Sequence, residues 1–296
     1  MKSGFVAILG RPNVGKSTII NSIVNHNVSI VTDKSQTTRN NIIGIYNAPE
    51  VQIVFLDTPG IHKPKQQLGK EMNNMAYSAA HDVDVAIFVV DASKPFGTGD
   101  QFIIEHLDIH KVPLIIVFNK IDLARLNETE ELKKTYREIF PKALFIDTVA
   151  KERFNIDELI KAVVNFLPEG PAYYPTEMVT DKDEIFQIKE IIREKILKQL
   201  RDEVPHSIAI YMDHIDWEHK PIQIFASIIV EKDSQKGIVI GAGGKRIKEI
   251  GSRARVDIER LLNKHVFLEL QVKVDEDWRN EPTALRTYGY KYEKYS

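Results

Sequence analysis

The chain has 296 residues, 43% of them hydrophobic and 28% charged, an ordinary globular composition at a length that favours two domains over one. Its formal net charge of −2 supplies no global field toward nucleic acid, so any such attraction must be local. Cysteine is absent, which excludes disulfides and thiolate zinc sites and fits a reducing compartment.

The opening "MKSGFVAILGRP" runs directly into a strand pattern, without the apolar region and cleavage site of a signal peptide. The longest apolar runs, "AIFVV" and "LIIVF", are too short to span a bilayer. A cytoplasmic protein is expected, with peripheral membrane contact left open.

From Phe5 to Leu167, apolar runs alternate with helical patterns: "FVAIL", "IVFLD", "VAIFVVD", "LIIVFN" and "ALFID". These unbroken runs suit strands covered on both faces, and their alternation with helices predicts an α/β domain with a mostly parallel sheet. Ligands of such sheets lie beyond the carboxyl ends of the strands.

The first strand ends in "GRPNVGKS", which has Gly10, Gly15, Lys16 and Ser17 in phosphate-loop spacing before the helix "STIINSIVN". The glycines let backbone N–H groups curl around phosphate oxygens, Lys16 reaches the β- and γ-phosphates, and Ser17 ligates Mg²⁺. Val14 and Thr18 complete the cradle. Next, "SQTTRN" offers a threonine for the Mg²⁺ shell, with Thr38 favoured over Thr37 and Arg39 read as a solvated neighbour. "DTPG" then closes its strand. Asp57 is placed to hold Mg²⁺ through water and the Gly60 amide to meet the γ-phosphate, with Thr58 and Pro59 between them. Lys16, Thr38, Asp57 and Gly60 are therefore the candidate catalytic group, and Ser17, Thr38 and Asp57 the candidate metal ligands.

After "LIIVF", the run "NKID" places Asn119, Lys120 and Asp122 at the same sheet edge. Asp122 can accept from N1–H and the exocyclic amine of guanine, a pair that adenine lacks, so GTP or GDP is the expected nucleotide.

"LPEGPAYYPTEMVTD" breaks the rhythm with four residues of proline or glycine and reads as a semi-rigid linker. Beyond it, Ile188, Ile191, Ile192, Ile196 and Leu200 mark a long amphipathic helix, and the remainder reads as α+β in the order αββααβ. The domains are expected at 1–168 and 182–296, with 169–181 between them.

The second glycine loop, "GAGG" (Gly241, Ala242, Gly243, Gly244), lacks the hydroxyl that a Mg²⁺ site needs and sits between two helices. G-x-x-G in that place lets a nucleic-acid backbone pass against protein backbone. Lys245, Arg246 and Lys248 add positive charge, while Ile238, Ile240, Ile247 and Ile250 are expected as core anchors.

Taken together, "GRPNVGKST", "QTTR", "DTPGIHKP", "NKID", "LPEGPAYYP" and "LRTYGY" resemble the Era family of bacterial GTPases across essentially the whole chain. The resemblance implies a P-loop GTPase domain followed by a smaller type II K-homology (KH) domain. It also implies Mg²⁺-dependent GTP hydrolysis, binding of the 3′ end of 16S rRNA, and a role in assembly of the 30S subunit. By the same likeness Asn13 either supports a monovalent cation such as K⁺ or is a structural loop residue. Two departures stand out. "TVAK" has Val149 where the fifth GTPase motif has serine, leaving the Ala150 amide to reach guanine O6 and predicting weaker guanine binding. The second is shared with the family: Ile61, not a glutamine able to orient the attacking water, follows Gly60, so unaided hydrolysis is expected to be slow.

Alternatives from other classes are a non-enzymatic RNA chaperone with a relic nucleotide domain, and a GTPase whose second domain binds protein or membrane. His106 with His110 are read as a polar helix face and "DHIDWEH" as a polar hairpin connection rather than as metal sites, and the tail "TYGYKYEKYS" as either an RNA-stacking segment or a docked terminus. Nothing demands more than a monomer.

Overall fold

The computed structural model describes residues 1–106, 112–200 and 204–290. Two compact units are present: Met1–Val31 with Ser35–Lys65 and Gly69–Asp181, and a second that runs from Lys182 onward and takes in Thr32–Lys34 and Gln66–Leu68.

The first unit carries strands β1 (Lys2–Gly10), β2 (Ile42–Ala48), β3 (Val51–Asp57), β4 (Val85–Asp91), β5 (Leu114–Asn119) and β6 (Leu144–Thr148), in the sheet order β2-β3-β1-β4-β5-β6. β2 runs antiparallel to β3, and the other neighbours are parallel. Helices are α1 (Lys16–Val24), α2 (Gln67–His81), α3 (Thr98–His106), α4 (Leu126–Ile139) and α5 (Ile156–Phe166). The period-2 geometry of a strand explains why the apolar runs are unbroken. Val6 and Ile8 of β1 join Ile87, Val117 and the helices α1 and α5 in one cluster. The intervening Ala7 and Leu9 join Phe88, Phe118 and residues of α2, α3 and α4 in another. Each fully buried Ile, Val or Phe contributes on the order of 1.5–3 kcal/mol.

β2 was not legible as a strand. Its run "IIGIYNA" is an edge element interrupted by Gly44, where a Cβ would come 2.6 Å from Ile20 Cγ2 of α1. The stretch read as a linker lies along this edge: Gln52 Oε1 accepts from the Tyr173 and Tyr174 amides at 2.7 and 3.0 Å, and the Ile45 amide donates to the Val179 carbonyl at 2.9 Å.

The second unit follows the expected order: α6 (Glu184–Gln199), β7 (Ala209–Asp216), β8 (Ile222–Val230), α7 (Asp233–Ile240), α8 (Lys245–Leu262) and β9 (Val266–Val274), with a further helix α9 (Pro282–Tyr288). β8 pairs antiparallel with β7 and parallel with β9. Ile188, Ile192 and Ile196 of α6, Ile250, Ala254 and Ile258 of α8, and Ile224 and Ile228 of β8 share one core. Asp213 to Asp216 of "DHIDWEH" belong to β7 rather than to the connection after it. No described helix is long and apolar enough to cross a membrane.

Candidate functional site

β1 lies between β3 and β4, so the chain leaves its carboxyl end at the point where strand order reverses, and the phosphate loop starts there. The loop needs backbone that only particular residues adopt. Gly10 has φ 143°, and a Cβ on it would meet the Val89 carbonyl oxygen at 2.5 Å. Gly15 has φ 106° and passes so close to the Asn119 side chain that a Cβ would sit 2.2 Å from Nδ2. Asn13 takes a left-handed φ of 64°, which asparagine tolerates.

Lys16 is 5% exposed, and its ammonium donates to the Gly10 and Arg11 carbonyls at 3.2 and 2.9 Å. Burial pushes its pKa down to about 8, against the opposing pull of Asp57. Asp57 is fully buried, and desolvation raises its pKa despite hydrogen bonds from Ser29 and Ser17 and the charge of Lys16. Its Oδ2 accepts from Ser17 Oγ at 2.7 Å and Ser29 Oγ at 2.6 Å. Thr38 Oγ1 lies 2.9 Å from Ser17 Oγ and 3.5 Å from Asp57 Oδ2. Ser17, Thr38 and Asp57, from α1, the 30s loop and β3, thus meet at one point. Asp57 Oδ1 is buried with no hydrogen-bond partner among the described residues. A buried carboxylate with Oδ1 unsatisfied and Oδ2 met by the Ser17, Ser29 and Thr38 hydroxyls is a hard-oxygen set suited to Mg²⁺. Ser29 is a member of this cluster that the motifs did not reveal; no spacing rule marks it.

Thr58 Oγ1 donates to the Ile8 carbonyl at 2.7 Å, pinning the start of the "DTPG" loop to β1. Gly60 abuts the phosphate loop, where a Cβ would come 2.7 Å from Pro12 Cα. Ile61 is 1% exposed and part of the core, so it offers no polar group to an attacking water. Arg39 is 1% exposed. This corrects the solvated reading: a polar local sequence does not reveal burial imposed by the tertiary fold.

At the other end of the site, Asn119 is 3% exposed and connects three segments. Its Nδ2 donates to the Val14 carbonyl at 2.9 Å, while Oδ1 accepts from Thr148 Oγ1 at 3.1 Å and the Ala150 amide at 3.0 Å. The Ala150 N–H expected at guanine O6 is therefore engaged by Asn119. Lys120 Nζ donates to the Asn13 carbonyl at 2.6 Å and to Asp91 Oδ2 at 2.7 Å. Burial pushes the Asp91 carboxyl up, but hydrogen bonds from Lys120 and Ser93 outweigh it and leave the group below its ordinary pKa. Asp122 stands exposed in a single 3₁₀ turn, Ile121–Leu123, and Val149 provides no hydroxyl near this loop.

In the second unit, Gly241, Gly243 and Gly244 have φ of 72°, 57° and 73°, and together they turn α7 into α8. A Cβ on Gly241 would meet Arg246 Cβ at 2.7 Å, whereas Gly243 and Gly244 face open space. Ala242, Gly243, Lys245 and Lys248 are exposed. Arg246 is half-buried and donates through Nη1 to the Ile238 carbonyl, so it closes the end of α7 as well as contributing charge. Ile250 is fully buried and Ile240 and Ile247 pack against the core, but Ile238 is 44% exposed and is not an anchor.

Elsewhere, His106 stacks on Phe102 at 4.2 Å, and His110 lies outside the described residues, as do the last six residues of the tail. Asp213 is engaged by Ser227, Gln271 and Lys273. Among the described residues no group of three or more His, Cys, Asp or Glu could hold a metal ion.

Residues 5–120 match the family described as 50S ribosome-binding GTPase, and residues 203–279 match the KH domain family. Among solved structures, the chain is similar to Era in complex with MgGDPNP and nucleotides 1506–1542 of 16S ribosomal RNA. The identity is 39%, the TM-score 0.93, and the match covers 99% of this chain and 100% of that one. It is likewise similar to a single-residue variant of Aquifex aeolicus Era bound to GDP·AlF₄⁻, at 39% identity and TM-score 0.92, with the same coverage.

Proposed function

The chain belongs to the Era family of GTPases, and on that premise we propose a GTP-hydrolysing switch that holds the 3′ end of 16S rRNA through its KH domain. The observation that carries the reading is the meeting of Ser17 and Thr38 at Oδ2 of the buried Asp57 carboxylate, whose other oxygen, Oδ1, has no hydrogen-bond partner among the described residues.

On binding GTP, Lys16 exchanges the Gly10 and Arg11 carbonyls for β- and γ-phosphate oxygens. The backbone N–H groups of Gly15, Lys16, Ser17 and Thr18 line the cradle. Ser17, Thr38 and Asp57 would hold Mg²⁺, which would supply positive charge to offset the negative charge that develops in transfer. Thr38 and the Gly60 amide sense the γ-phosphate, and its loss frees both loops. Asp122 reads the guanine edge, with Asn119 and Lys120 bracing the base loop against the phosphate loop. With Ile61 buried, unaided turnover is on the order of 10⁻⁴ to 10⁻² s⁻¹. Gly241 to Gly244 present backbone to RNA, and Lys245, Arg246 and Lys248 add phosphate contacts.

The same reading includes a monomer that acts on the 30S subunit in the cytoplasm, with peripheral membrane association and a monovalent cation beside Asn13 as further parts of the proposal. Labelled-nucleotide binding and single-turnover phosphate release test the enzymatic half. Wild type should bind GTP and GDP tightly and release phosphate in a Mg²⁺-dependent way, and Lys16→Ala should do neither well. Equal behaviour of the two proteins would favour an RNA chaperone with a relic nucleotide domain.

A further inference from the structure

The two segments that carry Thr38 and Gly60 are irregular loops, and a side-chain contact between Gln36 and His62 joins them. Gln36 Nε2 and His62 Nε2 lie 2.8 Å apart. The other ring nitrogen, Nδ1, is buried with no hydrogen-bond partner among the described residues, so Gln36 is the partner that the ring has.

Each end of this contact is fixed to something firm. On the His62 side, Asn73 of α2 brackets the backbone: its Nδ2 donates to the His62 carbonyl at 2.8 Å, and its Oδ1 accepts from the His62 amide at 3.4 Å. Asn73 is 4% exposed, and neighbouring Ile61 is a core residue at 1%. His62 is therefore a rigid arm extending from α2. Gln36, in contrast, holds a left-handed φ of 59°, a conformation that a glutamine keeps only when its surroundings impose it. Two residues later comes Thr38, on Ser17 and Asp57. A continuous path of short contacts thus runs from α2 through Asn73, His62 and Gln36 to the residue expected at the metal.

We propose that Gln36 and His62 form a latch between the two γ-phosphate-sensing loops, which makes His62 a positioning residue for GTP hydrolysis. It rests on the GTPase reading above. His62 acts through Gln36 on Thr38 and needs no contact with the reacting atoms. When both loops are in place the latch shares their ordering cost, so closing one favours closing the other. Because GDP does not require the closed loops, the latch contributes to GTP retention and turnover rather than to nucleotide affinity in general.

The test is a double-mutant cycle of Gln36→Ala and His62→Ala in the full chain, with Gln36→Glu as the conservative variant. The measurements are dissociation rates of a fluorescent non-hydrolysable GTP analogue and of fluorescent GDP, and single-turnover hydrolysis. Each alanine variant should speed release of the GTP analogue and slow hydrolysis by about 3- to 10-fold, the range for loss of one neutral hydrogen bond, and leave GDP release unchanged. The double variant should be no worse than either single one, and Gln36→Glu should retain the coupling with the direction of the bond reversed, because the imidazole can carry its proton on Nε2 and donate it to the carboxylate. Additive effects, or equal effects on GDP and the GTP analogue, would overturn the latch. Failure of the wild type to bind either nucleotide would instead overturn the GTPase reading.

Discussion

Asn119 and Val14 are 105 residues apart in sequence, yet the Asn119 carboxamide donates to the Val14 carbonyl at 2.9 Å in the interior. The same carboxamide accepts from Thr148 and Ala150, so the phosphate loop, the guanine loop and the loop after β6 are held by one side chain. The nucleotide site is consequently a single cooperative unit, and damage at the base end should be felt at the phosphate end.

Replacing Asn119 by alanine tests this. The change leaves the Val14 carbonyl and the Thr148 hydroxyl without their buried partner, at a cost of about 2–4 kcal/mol. Affinity for GTP should fall by on the order of 30- to 1000-fold. Affinity for inorganic pyrophosphate, which has no base, should fall with it. If pyrophosphate binding is unchanged, the two ends of the site are independent.

Val149 supplies no hydroxyl to the loop beside Asp122, and that carboxylate is exposed. Val149→Ser should therefore tighten GDP by about 0.5–1.5 kcal/mol, roughly 2- to 10-fold, with the gain absent for the xanthine nucleotide. Titration calorimetry with both nucleotides checks the prediction. Equal gains would mean that the serine acts on the loop in general rather than on base recognition.

Lys16 gives a pH dependence of definite sign. Burial holds its pKa at about 8 against an ordinary value of 10.5, so between those values the unfolded chain binds more protons than the folded one. Stability of the nucleotide-free protein should rise with pH across that window as the cost of the buried charge, about 3 kcal/mol when fully present, is relieved. Denaturant melts of wild type and Lys16→Met from pH 7 to 10 should show the rise in the first and not the second. Bound GTP should reverse the behaviour, because phosphate oxygens favour the charged ammonium.

The candidate nucleotide residues of the phosphate loop, "DTPG" and "NKID" were legible because phosphate and guanine recognition impose fixed residue types at fixed spacings, each at a strand end. The polar run offered two threonines, with Thr38 favoured over Thr37, and the structure brings Thr38 to Ser17 and Asp57. What escaped the sequence were features set by distant contacts. β2 pairs at a sheet edge, and its Gly44 makes room for Ile20 of a helix, which breaks the alternating pattern that marks strands. Arg39 sits in a polar run but is buried by the tertiary fold, and Ser29 reaches Asp57 from a loop with no motif. Ile238 is exposed although the next residue of α7, Val239, is fully buried, because adjacent helix positions do not face the same way.

The central claim, two glycine loops with two different ligands, is tested most directly by RNA binding of a loop variant. Gly243 and Gly244 have open space around them, so aspartate there adds charge without a clash, at a backbone cost of about 1 kcal/mol each for positive φ. Fluorescence anisotropy with an oligonucleotide of the 16S rRNA 3′ end would compare GTP-loaded wild type with Gly243→Asp/Gly244→Asp at several salt concentrations. The account predicts salt-sensitive binding by wild type, at least a roughly 10-fold loss in the variant, and equal GTP affinity in both. Equal RNA binding by the two proteins would contradict it and reduce "GAGG" to a turn between helices.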